Sequence, residues 1–173
     1  MTKQISTTLK LAVAAAAMAI APSSFAATIG AGSTGVVVAP IAIAKAFDMQ
    51  FGSFAASSGG TITVSTSGAR TVTSAVVAMG GTPAAAKFDV TGEAGANFSI
   101  SVTSDPVLTA TGGTIPFSIA TDLTAANTIL GTVTSGVLTG GAQSIYVGGT
   151  LTVANAQPAG AYSGNISATV EYN

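Results

Sequence analysis

The chain contains no cysteine, no histidine and no tryptophan. Without cysteine no disulfide can hold the fold, so an exported chain of this kind depends on its core and on its β-sheet hydrogen bonds. Without cysteine and histidine, zinc sites are all but excluded, and a serine nucleophile has no histidine to act as its base. These absences argue against an enzyme, and we expect no catalytic residue, no cofactor and no metal site.

Charge is also scarce, because Asp, Glu, Lys and Arg together make up only 6% of the chain. After residue 26, three basic residues stand against six acidic ones, and the basic residues do not cluster. A chain without a basic patch cannot neutralise the phosphates of a nucleic acid, which excludes that class of partner. Weak electrostatic repulsion between copies suits a subunit that assembles with itself.

Residues 1–26 have the pattern of a secretory signal peptide. Lys3 and Lys10 supply the basic region, residues 11–21 form an apolar run, and residues 24–26 (Ser-Phe-Ala) offer a cleavage site. As a helix the apolar run would span only about 16 Å, which is too short to cross a bilayer. We therefore predict export through the periplasm and a mature chain that begins at Ala27 and has no transmembrane segment.

Short segments with alternating or β-branched residues follow one another through the rest of the chain, and paired glycines separate many of them. Many short strands divided by turns are typical of an antiparallel, immunoglobulin-like β-sandwich. Tyr146 alternates with Ile145 and Val147, so its ring is predicted to be exposed. The segments predicted as strands are 61–64, 71–79, 87–90, 97–102, 115–119, 144–147, 150–153 and 160–173.

The last fourteen residues, 160–173, carry the most informative pattern. Polar residues there alternate with larger or apolar residues at even positions, which are Tyr162, Ile166, Ala168, Val170 and Tyr172. A period of two predicts a half-buried strand. The strand would run to the last residue of the sequence, with Gly160 fourteen positions from the end and Tyr172 penultimate.

The glycine, the tyrosine and the alternation together resemble the subunits of bacterial chaperone–usher pili. Because the chain lacks cysteine, it is more similar to the alanine- and threonine-rich subunits of archaic-type pili, and to a broad family of secreted bacterial proteins of unassigned function. Shorter segments that carry the resemblance are 49–52, 88–92, 149–153 and 160–164.

The resemblance implies an all-β sandwich that lacks its last strand and therefore offers an acceptor groove beside its final strand. The partners it implies are a periplasmic chaperone, an outer-membrane usher, and other copies of the chain or related pilins. The residues it assigns to the groove strand are Gly160, Tyr162, Ile166, Ala168, Val170 and Tyr172.

Residues 27–38 are predicted to form an N-terminal arm ahead of the domain at residues 39–173. The odd positions of the arm include Ile29, Ala31, Gly35 and Val37. These residues make one face of the arm more apolar than the other. Such an arm could insert as a strand into the groove of another subunit, the mode called donor-strand complementation. The alternative is a flexible N-terminus that is trimmed by processing, as most domains have.

We therefore expect a structural subunit of a bacterial surface fibre that polymerises by donor-strand complementation. The alternative is a self-contained, secreted β-sandwich that binds a ligand such as a glycan. A subunit would form multimers that resist denaturant, whereas a ligand-binding protein would be a monomer.

Overall fold

The structure is a computed structural model that describes residues 25–56, 58–73 and 75–173. The signal-peptide prediction for residues 1–26 therefore lies almost wholly outside the described residues. Residues 37–173 belong to one compact unit. Residues 25–40 have no regular secondary structure, and all of their side chains are exposed.

Within the described residues, the regular elements are β-strands and one short 3-10 turn at Thr139–Gly141. All strand pairs are antiparallel, which confirms the predicted all-β fold. The strands are β1 (Ala42–Phe47), β2 (Ser53–Ala56), β3 (Gly60–Val64), β4 (Arg70–Val72), β5 (Val76–Gly80), β6 (Ala86–Thr91), β7 (Asn97–Ser104), β8 (Val107–Ala110), β9 (Gly113–Asp122), β10 (Ser135–Val137), β11 (Ala142–Val153) and β12 (Ile166–Tyr172).

The strands form a sandwich of two main sheets. A seven-stranded sheet has the order β1-β6-β11-β3-β4, with β9 pairing β11 and β8 pairing β9. A three-stranded sheet has the order β10-β7-β12, and β2 pairs β5 in a small separate sheet. The core lies between the main sheets, where Phe88, Val90 and Ile145 of the large sheet share one buried cluster with Phe98 and Ile100 of β7.

No helix in the described part of the chain is long and apolar enough to span a membrane.

The predicted strand at residues 71–79 is wrong, because the chain turns in its middle. Thr73 donates its backbone N–H to the carbonyl of Thr61 at 3.0 Å, and its hydroxyl accepts the N–H of Thr61 at 3.1 Å. The N–H of Val76 then bonds back to the Thr73 carbonyl. As a result β4 pairs with β3, whereas β5 pairs with β2.

Tyr146 differs from its prediction as well. Its neighbours Ile145 and Val147 are fully buried, as the alternation requires, but the Tyr146 ring is half-buried and not exposed. Lys87 on the adjacent strand lies beside the ring, with its ammonium 5.9 Å from the centre of the ring.

The pair Gly148-Gly149 was predicted to separate two strands, yet it lies inside the continuous strand β11. At this point β11 changes partner along one edge, from β6 to β3. Chain from β3 passes so close that a Cβ on Gly148 would lie 2.6 Å from the carbonyl oxygen of Val64 and 2.9 Å from the Thr66 nitrogen. The missing side chain therefore permits the close approach of two backbones.

Replacing Gly148 with alanine should lower the free energy of unfolding by about 1–3 kcal/mol, since an overpacked core must shift its backbone. Urea unfolding of the variant against the unaltered protein measures the loss. Gly32→Ala is a matched control, because nothing lies within 4 Å of a Cβ built at Gly32. Equal stability of the two variants would contradict the close approach at Gly148.

Candidate subunit-binding groove

Two of the edge strands of the sandwich, β1 and β12, lie beside each other. In the described part of the chain, β12 pairs only with β7, and β1 pairs only with β6. β1 is the edge of the large sheet and β12 is an edge of the small one, and the two strands contact each other. We call the surface formed by residues 41–56 and residues 157–172 the groove.

The floor of the groove is apolar. Ile41 and Ile43 on one side and Ile166, Ala168 and Val170 on the other pack against the same buried cluster, yet each is only half-buried. In a closed sandwich such side chains would be covered from above by a further strand. An unpaired strand edge beside half-buried apolar side chains is a surface that favours pairing with another strand.

One end of the groove is wide. A cavity of about 1010 Å³ lies there between residues 49–56 and residues 157–166, and core residues including Leu108, Ile115 and Leu151 form its base. The Phe51 ring meets the Phe117 ring edge-on, with centroids 6.0 Å apart. Aromatic and aliphatic side chains thus dominate the base of this end.

Arg70 holds one wall of the wide end in place. Its Nη1 donates to the carbonyl oxygens of Phe51 at 2.9 Å, Gly80 at 3.2 Å and Ser53 at 3.3 Å. A guanidinium that bonds three carbonyls fixes the backbone of the segment leading into β2. The shape of the cavity therefore depends on a basic residue that does not line it.

The other end of the groove is closed by a set of hydrogen bonds that we call the Tyr172 clasp. The Tyr172 hydroxyl donates to the carbonyl of Ala39 at 2.8 Å and accepts the N–H of Glu93 at 2.6 Å. The Glu93 carboxylate in turn accepts the N–H of Ala39 at 3.1 Å. The clasp joins the end of β12 to the residue just before β1, where the arm leaves the domain.

Gly92 makes room for the clasp. A Cβ built on Gly92 would overlap the hydroxyl of Tyr172 and would lie 2.9 Å from Cδ1 of the buried Leu138. Any side chain at position 92 would therefore displace the Tyr172 ring.

Four of the six residues predicted for the groove strand lie together in β12. Ile166, Ala168, Val170 and Tyr172 are half-buried, and the residues between them are exposed, so the predicted alternation is confirmed for this strand. That these residues receive another subunit stays a prediction.

The predicted strand is nevertheless too long at its start, since Gly160 and Tyr162 precede β12. The N–H of Asn165 is held by the Asp105 carboxylate at 2.7 Å, and Ser163 forms an isolated bridge with Thr109 of β8. These bonds turn residues 160–165 away from β7, so this segment borders the wide end of the groove.

The arm residues predicted to join subunits, Ile29, Ala31, Gly35 and Val37, lie in a segment without secondary structure. Ile29 is 97% exposed and Val37 is 99% exposed. Thr28 and Thr34 of the opposite parity are exposed as well, so burial within this chain does not distinguish the two faces.

Sequence reasoning missed the clasp partners Ala39, Gly92 and Glu93, as well as the role of Ile41 and Ile43. Ile41 and Ile43 continue the odd parity of the arm, so the alternation does not mark where β1 begins. The segment 88–92 was singled out only as part of a family resemblance. Because the partners of Tyr172 are mostly backbone atoms far away in sequence, no pattern of side chains could have identified them.

Two carboxylates that lie away from the groove are held in their charged form. Hydrogen bonds from the Thr128 hydroxyl and from the N–H of Thr124 lower the pKa of Asp122. A hydrogen bond from Ser144 and then the Lys87 ammonium lower the pKa of Asp89. The described residues contain no group of three or more His, Cys, Asp or Glu side chains that could hold a metal ion.

These shifts predict how stability depends on pH. Both pKa values lie below the ordinary 3.8, so the folded state binds fewer protons than the unfolded state in this range. The stability that these two carboxylates contribute is therefore fully present above their ordinary pKa. It is lost as the pH falls through the lowered pKa values. Urea unfolding between about pH 5 and pH 2 should show this loss, and Asp122→Asn should flatten the slope. An unchanged slope in Asp122→Asn would contradict the role given to Asp122.

Comparison with known proteins adds one match. A search of curated proteins finds no match to this chain. Residues 41–172 match the family described as "Domain of unknown function (DUF4402)". The matched span starts one residue before β1 and ends with β12, so it contains both strands of the groove and leaves the arm outside. Since this span covers well over half of the chain, the protein belongs to the DUF4402 family.

Proposed function

We propose that this chain is a structural subunit of a bacterial surface fibre and that its subunits join by donor-strand complementation. The observation that carries the proposal is the groove, in which β1 and β12 each leave one edge unpaired above half-buried apolar side chains. A strand added there would pair with exposed backbone groups and would cover the apolar floor.

The arm supplies the strand in this proposal. Residues 27–38 are exposed, form no element of their own and have larger apolar residues at Ile29 and Val37 on one parity. An exposed Ile or Val side chain is stabilised by about 1.5–3 kcal/mol when it becomes fully buried. The arm of one copy thus has a reason to enter the groove of the next copy.

The remaining partners follow from the resemblance to pilins. A free strand edge over an apolar floor is an aggregation hazard before assembly. A periplasmic chaperone would cover the groove during export, and an outer-membrane usher would exchange it for the arm of the next subunit. The assembled fibre would stand on the cell surface.

The test is the size of the full mature protein. We expect a ladder of multimers on an unheated denaturing gel, collapse of the ladder to one band after boiling, and fibres in negative-stain electron microscopy. A clean monomer by light scattering at every concentration would contradict the proposal.

A monomer would favour the second candidate, a self-contained secreted β-sandwich that binds a ligand. The cavity of about 1010 Å³ at the wide end favours this candidate, because it matches the upper range of about 300–1,000 Å³ for small-molecule sites. Light scattering therefore separates the two functions in one experiment.

A further inference from the structure

A shallow cleft lined by both polar and apolar residues lies on the outer face of the large sheet. Its volume is about 510 Å³, and its floor includes Asp89 of β6 with Ser144 and Tyr146 of β11. The neighbours of these residues along the strands, Phe88 and Ile145 among them, point into the core. Because alternate residues of a strand face opposite sides, the floor of the cleft is the outer surface of the sandwich.

One wall of the cleft is the segment after β9, and hydrogen bonds fix it to the floor. The Gln143 amide donates to the carbonyl of Leu123 at 2.9 Å. Asp122 accepts the N–H of Thr124 at 2.9 Å and the Thr124 hydroxyl at 3.0 Å. The wall therefore stands in a set position before any ligand arrives, which reduces the entropy lost on binding.

The floor offers a fixed carboxylate. Oδ1 of Asp89 accepts the Ser144 hydroxyl at 2.7 Å and lies 3.0 Å from Nζ of Lys87. No hydrogen bond to Oδ2 occurs within the described part of the chain, and the Asp89 side chain is 44% exposed. A carboxylate held through one oxygen can accept a ligand hydroxyl with the other.

The half-buried ring of Tyr146 also lines the cleft, and the Lys87 ammonium lies 5.9 Å from the centre of the ring. An aromatic ring provides an apolar face, while the carboxylate beside it accepts hydroxyl groups. Sugars in pyranose form match this pair, since they present C–H groups on a ring face and hydroxyls at the rim. The Asp89 charge disfavours anionic ligands, because the one cation near it is already paired.

We propose that this cleft binds an uncharged pyranose sugar, which stacks on Tyr146 and donates a hydroxyl to Asp89. The site lies outside the groove and does not depend on fibre assembly. In a fibre it would recur once in every subunit along the side of the shaft.

Saturation-transfer NMR on the full mature protein tests the proposal. The probes are the methyl glycosides of glucose, galactose, mannose and N-acetylglucosamine, with the methyl glycoside of galacturonic acid, whose carboxylate is free, as the anionic comparison. We expect saturation of at least one neutral glycoside and a weaker signal from the uronate. No signal from any neutral glycoside, or a stronger signal from the uronate, would overturn the proposal.

Variants then locate the site. Asp89→Asn should weaken binding about tenfold, the usual effect of losing a charged hydrogen-bond acceptor. Tyr146→Ala should weaken it as well, and Tyr146→Phe should retain it. Asp48→Asn is the matched control, since Asp48 forms the other ion pair of the described chain, with Lys45.

Ala125→Trp provides a further test of the site if Asp89→Asn or Tyr146→Ala fails to fold. Ala125 is exposed and lines the cleft, so a large ring there should block the sugar without removing a bond from the fold. Unchanged saturation in a folded Ala125→Trp variant would overturn the proposed location. Gel ladders of the same variants report separately on fibre assembly.

Discussion

Replacing Tyr172 with alanine should lower the free energy of unfolding by about 3 kcal/mol, because the variant loses a large half-buried ring and two hydrogen bonds. The loss includes the bonds to Ala39 and Glu93, which tie β12 to the start of β1. Thermal and urea unfolding of the isolated monomer measure the effect.

Two controls separate the ring of Tyr172 from its hydroxyl. Tyr172→Phe keeps the ring and should cost only about 1 kcal/mol. Tyr146→Ala removes another half-buried tyrosine, one that packs on the outer face beside Lys87, and should cost less than Tyr172→Ala. Equal losses of stability in Tyr146→Ala and Tyr172→Ala would show that the hydrogen bonds of the clasp add no stability beyond that from burying the ring.

Gly92→Ala gives an independent test of the same clasp. The added methyl group would occupy the position of the Tyr172 hydroxyl. In a background that already has Tyr172→Ala, the Gly92→Ala substitution should therefore cost much less than in the unaltered protein. Additive losses would mean that Gly92 and Tyr172 do not interact.

Aspartate at Ile29 or Val37 of the arm should abolish the multimers. A strand added to a sheet edge sends alternate side chains inward, and an unpaired carboxylate buried in an apolar groove costs several kcal/mol. Ile29 and Val37 are almost fully exposed in the single chain, so the monomer should melt at the same temperature as before. Unheated gels and electron microscopy provide the assay.

Thr28→Asp and Thr34→Asp are the matched controls, because they place the same charge on the opposite parity of the arm. We expect both to assemble nearly normally. A shift of one residue in register would exchange the two faces. Long fibres from the Ile29 and Val37 variants, or equal failure of the threonine variants, would refute the assignment of faces.

The sequence was sufficient to predict the fold class and which side of β12 is buried. The period of two in Ile166, Ala168 and Val170 indicates which side of the strand is buried, because successive side chains of a strand point to opposite faces. The paired glycines were less reliable: Gly148-Gly149 lies within β11. The sequence alone does not distinguish a glycine that permits a close approach of two backbones from a glycine that forms a turn.

The groove could be predicted in part only. Its β12 side followed from local alternation, whereas its β1 side did not, because Ile41 and Ile43 continue the parity of the arm without a visible break. The start of β12 was misplaced since Asp105, far away in sequence, captures the backbone of Asn165. Contacts of this kind depend on the fold and have no local signature.

The central claim is that a strand from another copy fills the space between β1 and β12, and hydrogen–deuterium exchange tests it most directly. The assembled protein is compared with the monomeric Ile29→Asp variant, peptide by peptide. We predict that slowed exchange on assembly will be concentrated in residues 41–47 and 166–172, while β4 and β10, which are edge strands outside the groove, exchange as in the monomer. Unchanged exchange at residues 166–172, or new protection at β4 or β10 alone, would contradict the account.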